Sequence, residues 1–256
     1  MQKDMDSGGQ LENTPYDIVC IGFGATAISI AIALHERKAI GRATFLERQT
    51  QLTWTPSANL PGNRMRMSFL NDLVVSENPR SKFTFVNYLH STNSLVAYAN
   101  SSQIRPSREM FTDYLRWCAA QFTTRVRFGS HVTAITALED GNGRVEAWKV
   151  VYSDHDTGKV DFVTARQVVC AVGIQPKMPA VLSKHECHAS VIHSSVCLDN
   201  IPWVLRNTNG DCRFAVIGNG QDAAEIFDYL NSLRGQHHVS WFTRDTVLRG
   251  SDSTAL

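Results

Sequence analysis

Apolar positions along the chain gather into short runs, each with its own period. Tyr16-Asp17-Ile18-Val19-Cys20-Ile21 is a strand-length run that stops on Gly22. The Ala- and Ile-rich stretch from Ala25 to about Lys38 has the length and composition of a helix. Ala43-Thr44-Phe45-Leu46-Glu47 is a second short strand, and it ends on an acid. Pro56, Pro61 and Gly62 mark the segment from Thr50 to Asn63 as irregular. Phe111, Leu115, Cys118 and Phe122 recur at helical spacing, with Ser107 suited to cap and Glu109 in the first turn. This predicts an amphipathic helix from Ser107 to Phe122.

From Val126 to Val163 the pattern alternates instead. Runs such as Val145-Glu146-Ala147-Trp148-Lys149-Val150-Val151 are broken by Asp140-Gly141-Asn142-Gly143 and by Asp156-Thr157-Gly158, which predicts antiparallel strands joined by tight turns. Gln167-Val168-Val169-Cys170-Ala171-Val172-Gly173 is apolar nearly throughout, as in a parallel strand covered on both faces. Beyond Pro176 and Pro179 the opening order returns: strand Arg213 to Ile217, Gly218, a helix-like run from Gln221 to Leu233, and strand His238 to Phe242.

The two glycine loops carry the chemistry. Gly22-Phe23-Gly24-Ala25-Thr26-Ala27 follows a strand and opens a helix. Gly22 allows the tight turn, Gly24 lets backbone approach a pyrophosphate, and the small Ala27 lets the helix lie near the strand with its N–H groups facing phosphate. Glu47, about 25 residues further on, is placed to accept hydrogen bonds from a ribose hydroxyl pair. This unit reads as the site for the ADP half of FAD. The second loop, Gly218-Asn219-Gly220-Gln221-Asp222-Ala223, is followed after its second strand by Arg244, where a basic residue suits the 2′-phosphate of NADP. The fold class is therefore α/β: two Rossmann-like dinucleotide-binding (FAD/NAD(P)-binding) units with a small antiparallel β insertion. Residues 1–15 read as a disordered tail, 16–178 as an FAD-binding domain and 179–256 as the start of an NADPH-binding domain.

Composition narrows the classes. With 43% hydrophobic residues, 19% charged and a net charge of +1, the chain has no basic surface built for nucleic acid or an anionic membrane. No apolar run approaches the roughly 20 residues that span a bilayer, and the N-terminus lacks a secretory signal. The 6 cysteines include no C-x-x-C pair. Cys20 and Cys170 sit inside apolar strands, so buried reduced thiols and a cytosolic protein are expected. His185-Glu186-Cys187-His188 with His193 falls in an irregular stretch, and no metal site is assigned to it. Arg105 and Arg108 read as a solvated face.

Longer segments then match a known family. Phe45-Leu46-Glu47-Arg48-Gln49, Asn78-Pro79-Arg80-Ser81, Asn87-Tyr88-Leu89-His90, Asp113-Tyr114-Leu115-Arg116-Trp117-Cys118, His193-Ser194-Ser195 and Ala223-Ala224-Glu225-Ile226-Phe227 carry the match beside the glycine loops. Over Tyr16 to about Asp252 the chain resembles the fungal L-ornithine N5-monooxygenases, flavin-dependent enzymes of hydroxamate siderophore synthesis. The resemblance implies that NADPH reduces FAD and that reduced flavin activates O2 for transfer to the side-chain amine of ornithine. That amine, with an ordinary pKa of about 10.4, must be neutral to act as a nucleophile. The protein positions and shields, while the cofactor supplies the hard chemistry. No catalytic side chain is assigned, and the family tends to homo-oligomers.

The same resemblance exposes departures. Trp54 matches a flavin-domain tryptophan, but Thr55 replaces the histidine that follows it. Arg66 stands near the flavin where the family has Gln. Asn71 stands where a lysine holds the substrate carboxylate; it can donate a hydrogen bond but brings no charge. Val196 replaces a lysine and Asp222 a serine of the nucleotide site, while Gln221 and Arg244 are kept. NADPH binding should be weaker, with NADH as an alternative coenzyme. Ser251-Asp252-Ser253 opens a family motif, and the family's remaining residues would complete both domains. Two further readings follow from these departures: a truncated, inactive flavoprotein or nucleotide-binding scaffold, and a related flavin monooxygenase with a different amine substrate.

Overall fold

The computed structural model describes residues 15–54, 60–185, 187–208, 212–233 and 237–244. All but the last residue of the expected N-terminal tail, the segment around Thr55 and Pro56, Glu186 and the Ser251-Asp252-Ser253 motif lie outside these residues. The chain divides into two compact units that interleave in sequence. The first takes Met1–Leu52, Glu77–Phe83 and Leu115–Gly173; the second takes Thr53–Ser76, Thr84–Tyr114 and Ile174–Leu256.

The first unit is built on one sheet. β1 (Tyr16–Ile21), β2 (Ala43–Leu46), β3 (Val126–Arg127), β4 (Ser130–Glu139), β5 (Val145–Asp154) and β6 (Val160–Cys170) lie in the order β3-β2-β1-β6-β5-β4. β6 joins two kinds of pairing. Its N-terminal half is antiparallel to β5, with Val150 opposite Val163, and its C-terminal half is parallel to β1, with Ile21 opposite Cys170. The expected nucleotide-binding strand and the last strand of the insertion are thus one element, which ends at Cys170 rather than at Gly173. A single core spans both halves through Val19, Ile21, Leu46, Val150, Tyr152, Val163 and Ala165.

Local chemistry explains the connections. Asp140 Oδ1 accepts from the N–H groups of Asn142 and Arg144, and Asp154 Oδ1 from those of Asp156 and Thr157, so each hairpin turn is closed by an aspartate. α1 (Ala25–Glu36) buries Ala27, Ile28, Ala31 and Ile32, residues that recur on one helical stripe. The predicted Ser107 helix is α4, Arg108–Ala119. Ser107 Oγ caps it by accepting from Met110 N, and a 3₁₀ turn from Ala120 to Arg125 carries Phe122 into the core. Cys20 is buried as expected. Cys170 is exposed, contrary to expectation: it is the last residue of β6 and pairs on one side only, with Ile21 of β1, because the pairing with β5 ends at Ala165.

The second unit contains three helices beyond those expected from the sequence: α2 (Phe85–Ser91), α3 (Leu95–Asn100) and α5 (Cys197–Asn207). Around Phe85 lie Phe69, Tyr88, Tyr98, Phe111 and Tyr114, all with ring centroids within 6.4 Å of it. β7 (Arg213–Ile217) and β8 (His238–Phe242) pair in parallel, connected by α6 (Gln221–Ser232). Cys197 and Ile201 of α5, Val216 of β7, and Ile226 and Leu230 of α6 form their core with Leu60.

Candidate functional site

The β1–α1 turn packs against its own sheet before it faces any ligand. Gly22 has φ +92°, and a Cβ there would lie 2.5 Å from the carbonyl oxygen of Ala171, where the chain leaves β6. Its N–H donates to Leu46 O at 2.8 Å. The turn's middle residue, Phe23, points inward and is fully buried, meeting Phe45 at 5.1 Å and Phe128 at 6.2 Å between ring centroids. The sequence pattern treats this position as a free x; in the fold it is the anchor that holds the loop down.

Gly24 differs. Its backbone is extended, and a Cβ there would meet nothing within 4 Å. Internal packing therefore gives no reason for a glycine, whereas the close approach of a pyrophosphate does. Gly24 precedes α1, whose N-terminus has no side-chain cap and no acid in its first turn. Uncapped N–H groups at the positive end of the helix dipole suit an anion. Ala27 is fully buried beneath them. Pairing of Ile21 with Leu46 brings Glu47 alongside. Glu47 Oε2 accepts from Phe23 N at 2.6 Å and Oε1 from Gln49 N at 2.8 Å. Each oxygen keeps a lone pair for a ribose hydroxyl. The structure thus gathers Gly22, Gly24, Ala27 and Glu47 at one end of the parallel strands, and these residues fit the ADP part of FAD.

The second loop repeats this plan with different chemistry. Gly218 has φ +143°, donates to Phe242 O at 3.0 Å, and accepts from Trp241 Nε1 at 2.6 Å. Gly220 precedes α6, and a Cβ there again would meet nothing within 4 Å. Here, however, Asp222 places an acid in the first helical turn. Gln221 is turned back toward Glu225, and Arg244 is exposed just beyond β8.

Trp54, Arg66 and Asn71 belong to the second unit. Trp54 lies 5.5 Å from Phe111 between ring centroids, half-buried. Arg66 and Asn71 are both exposed. The loop carrying Asn71 is held by its neighbour Asp72. Asp72 Oδ1 accepts from Val74 N at 2.9 Å and Val75 N at 2.8 Å, and Oδ2 from Phe85 N at 2.7 Å. Arg108 corrects the sequence reading. Its side chain is only 14% exposed, because it pairs with Glu225, 117 positions away. No local pattern signals that distance. Among the described residues, no group of three or more His, Cys, Asp or Glu side chains could hold a metal ion.

Two glycine loops of this geometry on one chain narrow the relatives sharply. The profile of the L-lysine 6-monooxygenase/L-ornithine 5-monooxygenase family matches residues 14–256. The chain belongs to that family. It is 38% identical to an L-ornithine N(5)-monooxygenase of Ajellomyces capsulatus over 98% of this chain and 54% of the relative. The solved ornithine hydroxylase of Pseudomonas aeruginosa superposes with a TM-score of 0.86 at 33% identity, over 94% of this chain and 57% of that one. The ornithine N-hydroxylase of Kutzneria sp. 744, solved with reduced FAD, NADP+ and L-ornithine, gives 0.81 at 35% identity over 90% and 53%. The chain spans about half the length of these relatives. The Rossmann-like α/β class is that of the family. No helix of the described residues is long and apolar enough to cross a membrane.

Proposed function

We propose that this chain carries the cofactor-binding part of an ornithine N5-monooxygenase, which uses NAD(P)H and O2 to hydroxylate the side-chain amine of ornithine for a siderophore. The open positions at Gly24 and Gly220, each at an uncapped helix start, carry this reading. FAD, when bound, supplies electron transfer and oxygen activation; the chain supplies placement. Gly22, Gly24, Ala27 and Glu47 hold the ADP end of FAD. Trp54 and Arg66 belong to the flavin side, Asn71 to the substrate, and Gly218, Gly220, Gln221 and Arg244 to the pyridine nucleotide. A cytoplasmic location goes with this reading, because a reducing compartment would keep the 6 cysteines as thiols.

The test is direct. Purified chain should turn yellow with FAD, oxidise NADPH, and yield hydroxylamine product with ornithine. A protein that cannot be reconstituted with FAD would overturn the enzyme reading and leave a nucleotide-binding scaffold.

Asn71 favours a second reading, a different amine substrate, because it is exposed and uncharged where the substrate carboxylate would lie. Yellow protein that oxidises NADPH but hydroxylates another amine in preference to ornithine would select it. Asn71→Lys should then lower the KM for ornithine about tenfold, since charge-assisted hydrogen bonds are about twice as strong as neutral ones.

A further inference from the structure

Glu225 lies on α6 one turn after Gln221 and gathers donors from Gln221 and from two distant parts of the chain. Its Oε1 accepts from Arg108 Nη2 at 2.9 Å and from Gln221 Nε2, and its Oε2 accepts from Asn63 Nδ2 at 2.9 Å. The Arg108 and Glu225 side chains are 14% and 15% exposed. An ion pair so withdrawn from water is costly to leave half-made. Asn63 and Arg108 are further joined through the Arg108 N–H, which donates to Asn63 O at 3.0 Å.

This cluster decides which way Gln221 faces. A carboxylate only accepts hydrogen bonds, so the NH2 end of the Gln221 amide must be the one toward Glu225. The amide oxygen is then fixed at the other end. Gln221 Oε1 is buried and, among the described residues, has no hydrogen-bond partner. An acceptor left so keeps its full desolvation penalty, which is recovered if a ligand supplies a donor. Gln221 is the first residue of α6, directly after the open position at Gly220.

We propose that Glu225 is a positioning residue for the nucleotide site. Held by Arg108 and Asn63, it orients the Gln221 amide so that Oε1 is a preset acceptor for a hydroxyl or amide N–H of the bound pyridine nucleotide. The proposal rests on the function stated above.

Glu225→Ala removes the acceptor that fixes the amide NH2, so Gln221 is free to turn over. Calorimetric titration of NADP+ into the FAD-loaded 256-residue chain reads the effect for wild type, E225A, Q221A and the double variant. E225A and Q221A should each weaken NADP+ about tenfold, the equivalent of one hydrogen bond, and the double variant should be no weaker than Q221A alone. FAD affinity should not change. A purely structural Glu225 would lower the melting temperature and leave the NADP+ affinity intact, or add its loss to that of Q221A; either result overturns the proposal. Should E225A not fold, Asn63→Ala removes one tether and keeps the ion pair. In the same cycle it should weaken NADP+ about threefold in the wild-type background and not at all in Q221A. Wild type that binds FAD but no pyridine nucleotide overturns the nucleotide-site reading and this proposal with it. Wild type that binds NADP+ alongside unimpaired single variants overturns the positioning role alone.

Discussion

Glu47 holds the amide of Phe23 at 2.6 Å. The acid that ends β2 is thus part of the glycine loop's own structure as well as a candidate ribose ligand. Glu47→Gln can offer an oxygen to only one of the two amides that Glu47 now satisfies, those of Phe23 and Gln49. Hydrogen bonds to a charged group contribute about 1.5–3 kcal/mol each. FAD affinity, measured by quenching of flavin fluorescence, should fall about 10- to 100-fold. Undiminished affinity would mean that the carboxylate contributes nothing to the site.

The two glycines of that loop should separate stability from binding. Gly22→Ala sets a Cβ 2.5 Å from Ala171 O at a φ of +92°, so the backbone must shift. Urea unfolding should show a loss of about 2 kcal/mol or more. Gly24→Ala meets no protein atom within 4 Å. It should leave the midpoint nearly unchanged and abolish detectable FAD uptake, because its Cβ would occupy the space of the pyrophosphate. Equal effects of both variants on unfolding would refute this division.

The nucleotide units were legible because their signals are local. A strand, two glycines, a helix and an acid or base at a fixed distance stand in order from Tyr16 to Glu47 and again from Arg213 to Arg244. Alternation together with the Asp- and Gly-bearing turns at 140–143 and 156–158 also marked the hairpins. What escaped was set by distant partners. Phe23 looks like a spacer until Phe45 and Phe128 close on it, and Arg108 looks solvated until Glu225 arrives from 117 positions away. α2 has only seven residues and is defined by Thr84, whose Oγ1 caps it through Asn87 N at 3.2 Å. Continuity across β6 was hidden for another reason: one strand serves two pairings, so its hydrophobic pattern changes midway.

Asp222 should weaken anion binding at the second loop. It occupies the first turn of α6, where the positive end of the helix dipole would otherwise favour phosphate, whereas the first turn of α1 has no acid. Asp222→Ser removes the like charge. NADP+ and NAD+ should both bind more tightly, by about three- to tenfold at low salt, and the gain should shrink as salt is raised. A change confined to one coenzyme would show that Asp222 reads the 2′-position rather than the pyrophosphate.

Cys20 offers a test of the first unit's core. Burial in β1, with Cys170 nearby, pushes its thiol up from 9.0 to about 12. The thiol should therefore resist an aromatic disulfide reagent at pH 8 in the native chain, while the exposed Cys170 and Cys187 react. The same shift has a thermodynamic sign. Between the unfolded and folded values the native state holds more protons than the unfolded one, so stability falls as pH rises. The contribution is whole below about pH 9 and is lost as pH climbs toward about 12. Its size is on the order of a few kcal/mol. Tyr88, Tyr98 and Tyr152 are also raised by burial, so the thiol's share must be read as a difference. Cys20→Ala should lose less stability than wild type between pH 8 and pH 11, measured by urea unfolding at each pH. Parallel curves for the two proteins would show that the thiol is not held neutral by the fold.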